Sequence, residues 1–212
     1  MKTDDFITAL AADLPMRPTP VRRAVALALL VSLPVALALL LIALPVRSDI
    51  AAVMGDPRFH FKFMFTLSAL ASGMWLVLRL SRPGAGAGRA LAALGVTAAI
   101  LLTGVTLELF ALPRGTWLTA LTGSMAAACM VLIPVLSAAP LAAILYALKS
   151  GAPDNPAVAG AAAGLLSGAI GATLYATHCT SDSPLFVAVW YVIGISAVTI
   201  TGRLIGARVL KW

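Results

Sequence analysis

The sequence predicts an all-α fold: a polytopic membrane protein of six transmembrane helices with both termini in the cytoplasm. Three observations carry this. Of the 212 residues, 61% are apolar and only 11% charged, with a mean hydropathy of +1.00. A soluble domain carries about a quarter charged residues, so this chain lacks the polar side chains to cover a water-soluble globule. Disorder is excluded too, because it needs low hydrophobicity and high charge. Second, six apolar runs are long enough to span a bilayer core, which takes about 20 helical residues. Third, the basic residues are unevenly placed along those runs.

The elements follow in chain order. Residues 1–23 form an N-terminal helix and tether. Thr3, Asp4 and Asp5 offer helix-capping chemistry, and Phe6, Ile7, Leu10 and Leu14 recur at helical spacing. Pro15, Pro18 and Pro20 stop the helix before the membrane. So short an amphipathic helix is unstable alone in water and suits docking in the groove of a soluble partner. The alternative is a resting place on lipid, which Asp4, Asp5 and Asp13 oppose at an anionic surface.

Residues 24–204 form the membrane domain, with spans at Ala24–Val46, Phe61–Leu80, Ala90–Leu112, Leu121–Leu148, Ala157–Thr177 and Leu185–Leu204. The first is too long for a cleaved signal peptide and reads as a retained anchor. Lys62 and Arg79 lie near the ends of the second span, where long basic side chains snorkel to the headgroups. Pro134 and Pro140 predict kinks in the fourth. Gly160, Gly164 and Gly168 in the fifth form a stripe that admits another helix closely. Residues 205–212 are a cytoplasmic tail. No loop is long enough to form a domain.

Orientation follows from charge. The net charge is +7, and 11 of the 15 Lys and Arg residues fall on the side that holds both termini. The positive-inside rule makes that side cytoplasmic. The basic balance is thus an orientation signal. With no basic cluster beyond Arg22-Arg23 and no nucleic-acid motif, no direct nucleic-acid partner is expected.

The reactive residues gather on the opposite side. His60 opens the second span, Glu108 lies near the outer end of the third, Cys129 is in the outer half of the fourth, and His178, Cys179 and Asp182 occupy the loop after the fifth. Counted along their helices, the two cysteines stand at similar depth. They can form a reversible disulfide, or join His178, Asp182, Glu108 or His60 around a transient metal ion. Otherwise no cofactor is expected. The plainer alternatives are buried cysteines acting as small hydrophobes, an interhelical polar contact for Glu108 and an interfacial His60. No HExxH, GxSxG or Walker motif is present, so no enzyme is expected. A small metal or solute transporter or channel is the competing reading, although no repeated halves are evident.

The start MKTDDFITALAADLPMRP, the six spans, the cysteine of span four and the segment THCTSDSPLFVAVWY, with its HC-x-x-D-x-P pattern from His178 to Pro184, resemble the NrsF-type membrane anti-sigma factors. That resemblance spans essentially the whole chain. It implies a bacterial inner-membrane protein that sequesters an extracytoplasmic-function sigma factor. Oxidative or heavy-metal stress would act through Cys129 and Cys179, and the N-terminal helix with the cytoplasmic loops would hold the sigma factor. Spans four and five would relay the signal.

Overall fold

The computed structural model describes residues 3–12, 20–45 and 47–211. Among these the regular structure is helical, without a strand. Helix α1 covers Thr3–Ala12. Helix α2, Val21–Ala43, ends where Leu44 turns extended, as the residue before Pro45 must. A single turn α3, Ile50–Val53, precedes α4, Pro57–Leu80. The Asp56 side chain caps α4 by accepting from the Arg58 N–H at 2.8 Å, with Pro57 in the first turn where no donor is missed. Helix α5 is Gly88–Ala111 and stops before Pro113.

Then come α6, Trp117–Thr122, and α7, Ala126–Leu148. Helix α8, Pro156–Ala176, is capped by Asn155, whose side chain accepts from the N–H groups of Ala157 and Val158. The last crossing is built from α9, Pro184–Phe186, a π turn at Val187–Tyr191, and α10, Val192–Val209.

Six of these stretches are long and apolar enough to cross a membrane: Val21–Ala43, Pro57–Leu80, Gly88–Ala111, Arg114–Leu148, Pro156–Ala176 and Pro184–Val209. Their outward faces carry exposed large apolar side chains such as Leu30, Ile42, Leu102 and Phe110. Such a surface is at home in lipid.

The fourth span departs from an unbroken helix starting at Leu121. Gly123 takes a positive φ of 51°, a conformation open to glycine, and separates α6 from α7. Both Pro134 and Pro140 lie inside α7, which continues through them as one helical element.

Helix α8 is the centre of the bundle. It packs on α10, α4 and α7, while α2 lies against α7 and α5 against α4. The glycine stripe explains the closest of these contacts. A Cβ added at Gly160 would stand 2.3 Å from the carbonyl oxygen of Gly202, and one at Gly164 would stand 2.5 Å from that of Val198. The stripe therefore faces α10. A different glycine, Gly171, meets α7 at Ile133 and Ser137. This is the packing that small residues allow where lipid offers no hydrophobic drive.

Two ends can be told apart. At one, Val25, Leu148 and Leu210 share a core, so the start of α2 and the end of α10 meet there. The N–H of Gly84 donates to Asp154 at 2.8 Å and ties two loops of that end together. At the other end, the core holds Leu40, Phe65, Cys129, Tyr175, Cys179 and Tyr191.

Candidate functional site

The loop between α8 and α9 closes that second end. The N–H groups of His178 and Cys179 both donate to the Tyr175 carbonyl at 3.0 Å. This tight turn returns Cys179 into the bundle, where it is fully buried. Cys129 is fully buried in the first turns of α7, and its N–H donates to the Met125 carbonyl at 3.0 Å. Both cysteines are free thiols. They share one core.

The loop is held by two cations. The Lys62 ammonium donates to the Cys179 carbonyl at 2.8 Å and to the Asp182 carboxylate. Arg47 donates through Nη1 to the same carbonyl at 3.2 Å and to Asp182 Oδ2 at 2.8 Å. Its Nε and Nη2 make a two-point pair with Asp49 at 2.7 and 2.9 Å. The Phe59 ring faces both cations, with Arg47 Cζ at 5.8 Å and Lys62 Nζ at 6.0 Å from its centre.

Lys62 does not snorkel. Its side chain is wholly inaccessible to solvent, because α4 begins at Pro57 and carries position 62 more than a turn into the bundle. An unpaired buried charge would be prohibitive in that setting. Asp182 and the Cys179 carbonyl make the burial tolerable. Likewise Arg47 is 2% exposed at its side chain and serves as a structural clamp as well as an orientation charge.

The other predicted residues are placed as follows. Glu108 is buried and pairs with Arg58 Nε at 3.0 Å, so it does join two helices, and it also accepts from Ser183 Oγ at 3.1 Å. His178 reaches the Pro45 carbonyl through Nδ1 at 2.6 Å, fastening the loop to the end of α2. His60 is exposed and its Nδ1 lies 3.1 Å from the Asp56 carbonyl at the cap of its own helix. Asp4 and Asp5 occupy the first turn of α1, together with Phe6, Ile7 and Leu10 on the same short helix, and Ile7 is exposed. Leu14 lies outside the described residues. Among the described residues no three His, Cys, Asp or Glu side chains come together as a metal site requires. The juxtaposition is of two thiols with two cations, Lys62 and Arg47, and two acids, the nearly buried Asp182 and the half-exposed Asp49.

Electrostatics follow from this geometry. The Cys179 thiol is lowered to about 6, first by the neighbouring Cys129 thiol and then by the Lys62 charge, the Ser181 backbone and the nearby Tyr191 hydroxyl, against the effect of burial. Arg47 holds the Asp49 carboxyl below its usual range.

Four residues of the site were not legible as such: Lys62, Arg47, Tyr175 and Tyr191. A lysine in an apolar span with no acid on its own helix was the available signal, since such a charge must find a partner elsewhere.

Comparison with known proteins bears on the whole chain. It matches the NrsF family, described as negative regulator of sigma F, over residues 10–212. A relative from Caulobacter vibrioides named anti-sigma-F factor NrsF is 38% identical, and one from Azospira oryzae named probable anti-sigma-F factor NrsF is 36% identical. Each match covers the full length of both chains. No solved structure matches.

Proposed function

The chain belongs to the NrsF family of negative regulators, and from that premise we propose that it is a membrane-held anti-sigma factor of the bacterial inner membrane. It retains an extracytoplasmic-function sigma factor on the cytoplasmic face and keeps the dependent promoters silent. Oxidative stress acts on Cys129 and Cys179 at the periplasmic end, and the sigma factor is released. The observation that carries this reading is the end-to-end match to two relatives named as anti-sigma-F factors. The family is one of regulators and not of enzymes.

The layout supports it. Eleven of fifteen basic residues lie on the side of both termini, which favours a cytoplasmic location for α1. The paired thiols stand at the opposite end, in the compartment where disulfides persist. Cys129 sits on α7 and Cys179 directly follows α8, and these helices touch at Gly171 and Ser137. A change at the thiols therefore acts first on that contact.

The test is co-purification. Membranes holding the tagged chain should retain a sigma factor from the source cell, and an oxidant should release it. C129S and C179S should keep it bound under the same oxidant. Failure to retain any sigma factor would overturn the anti-sigma reading. Release by cadmium but not by peroxide would replace disulfide formation with metal ligation.

A further inference from the structure

We infer that Cys179 is the thiol that meets the oxidant first, that Lys62 and Tyr191 are the positioning residues that make it reactive, and that Cys129 is the resolving thiol. This rests on the thiol-sensing reading above and assigns unequal roles within it.

The first support is a charge imbalance. Lys62 and Arg47 both spend hydrogen bonds on Asp182, the one carboxylate of the group that is nearly buried, with its side chain 10% exposed. The second carboxylate, Asp49, pairs with Arg47 from a position 47% exposed. The innermost set of Lys62, Arg47 and Asp182 thus holds two cations against one anion. Asp49 makes the whole cluster formally neutral, but its charge sits at the exposed rim, so a thiolate at Cys179 would face a buried set with an excess of positive charge. Lys62 bonds the backbone carbonyl of Cys179 and makes no bond to Cys129, which holds the ammonium beside residue 179.

The second support is independent of charge. The hydroxyls of Tyr175 and Tyr191 are buried and lack a hydrogen-bond partner. Both rings pack against the cysteines in the same core, and their centres are 5.9 Å apart. A buried hydroxyl without a partner is costly. A sulfur anion in that core would give either hydroxyl an acceptor to turn to. Two unpaired donors thus share the core with Cys179, whose thiol has a long contact, 3.7 Å, to the Ser181 carbonyl.

Among the described residues, the charged and titratable groups around Cys179 come from every element packed there. Lys62 comes from α4, Arg47 and Asp49 from the connection after α2, and Cys129 from α7. Tyr175 comes from α8, Tyr191 from the π turn, and His178 and Asp182 from its own loop. The lowered Cys179 thiol agrees with the sum of these neighbours.

With a peroxide as oxidant the chemistry balances. The Cys179 thiolate attacks one peroxide oxygen, an S–O bond forms, the O–O bond breaks, and the leaving oxygen takes a proton to become water or alcohol. The Cys129 thiol then attacks the sulfenic sulfur. An S–S bond forms, the S–O bond breaks, and water departs with the Cys129 proton. Two thiols lose two electrons, which the peroxide gains. Both thiols are fully buried, which favours small oxidants.

The test is alkylation of the detergent-solubilised full chain with iodoacetamide at pH 7, following each cysteine separately by peptide mass spectrometry. Cys179 should react more than about tenfold faster than Cys129, because the thiolate is the nucleophile. K62M should slow Cys179 about fivefold, since the lost thiolate fraction is partly offset by higher intrinsic nucleophilicity. K62R, which keeps the charge, should retain more of the rate than K62M. Y191F removes only a hydroxyl and leaves the packing intact, so it tests the same point if K62M does not fold; it should also slow Cys179. Equal rates for the two thiols, or a Cys179 rate unmoved by K62M and Y191F, would overturn the assignment. The measurement contains no sigma factor. Loss of sigma-factor binding would overturn the functional reading without touching these rates.

Discussion

The Lys62 ammonium and the Asp182 carboxylate, 120 positions apart in sequence, form an ion pair in which the lysine side chain has no solvent contact. The pair fastens the loop between α8 and α9 to α4. Its two halves are not equivalent. Asp182 also serves Arg47, whereas Lys62 has the Cys179 carbonyl as its second partner. D182N should therefore be the more damaging change, because it leaves two cations facing one another. Breaking such a pair costs about 3–5 kcal/mol. K62M leaves Asp182 still paired with Arg47 and should cost clearly less. Thermal unfolding of the detergent-solubilised variants, followed by circular dichroism, checks the order.

The α8 and α10 backbones are close enough that a single methyl group decides their packing. G160A places a Cβ 2.3 Å from a backbone oxygen, so the helices must move apart. Overpacking of this kind costs about 1–3 kcal/mol. Gly95 is also mid-helix, in α5, but nothing lies within 4 Å of its Cβ position. G95A should stabilise the protein by about 0.5–1 kcal/mol through helix propensity. Opposite signs for the same substitution, read in one unfolding assay, test the close contact directly.

These two cases show what the sequence could and could not convey. The spans were legible because apolar runs of about 20 residues have few other uses, and Pro20 marked a helix limit through its own stereochemistry; the first span was read on to Val46, past Pro45, whereas the helix ends at Ala43 because the residue before a proline is driven out of the helical region. The glycine stripe announced a close contact but not its partner, since spacing on one helix says nothing about which neighbour fills the groove. Lys62 was misread for a related reason. Its place near the start of an apolar run suggested the headgroups, yet the helix extends back to Pro57, and the partner that permits burial lies in a distant loop. The cysteines were found by their scarcity. The tyrosines beside them were hidden among other aromatic residues that simply fill a core.

Glu108 and Arg58 make an asymmetric pair. The carboxylate side is 6% exposed and the guanidinium 43%. Removing the exposed member strands the buried one, while removing the buried charge frees Arg58 to turn to solvent. R58A should therefore destabilise by about 2–3 kcal/mol and E108Q by about 1 kcal/mol. Unfolding measurements at the same pH should show that order, and S183A should weaken the Glu108 site further.

Asp49 gives a dependence on pH whose sign is fixed. Its folded-state pKa is lowered by Arg47. The stabilisation is therefore fully present above the unfolded value of about 4 and is lost as pH falls through the folded value. D49N should flatten the acid side of the stability curve. Because the carboxylate is half exposed, raising the salt concentration should shrink the difference between wild type and D49N. A scan of thermal midpoints from pH 3 to pH 6 at two salt concentrations reads both effects.

The last prediction concerns the opposite end of the chain. Helix α1 carries Asp4 and Asp5 in its first turn, where carboxylates favour a helix N-terminus, and leaves Ile7 57% exposed. An exposed β-branched residue on so short a helix adds nothing to a fold it does not pack into, but it suits an anchor in a partner's groove. I7D should weaken sigma-factor retention by membranes at least tenfold, which corresponds to about 1.4 kcal/mol. It should leave the unfolding of the six-helix domain unchanged, because α2 starts independently after Pro20. D4N with D5N should weaken retention less, since those side chains support the helix start rather than fill a pocket. Retention untouched by I7D would move the binding surface from α1 to the loops at Ser81–Gly88 and Lys149–Asn155, which meet at the same end of the bundle through Gly84 and Asp154.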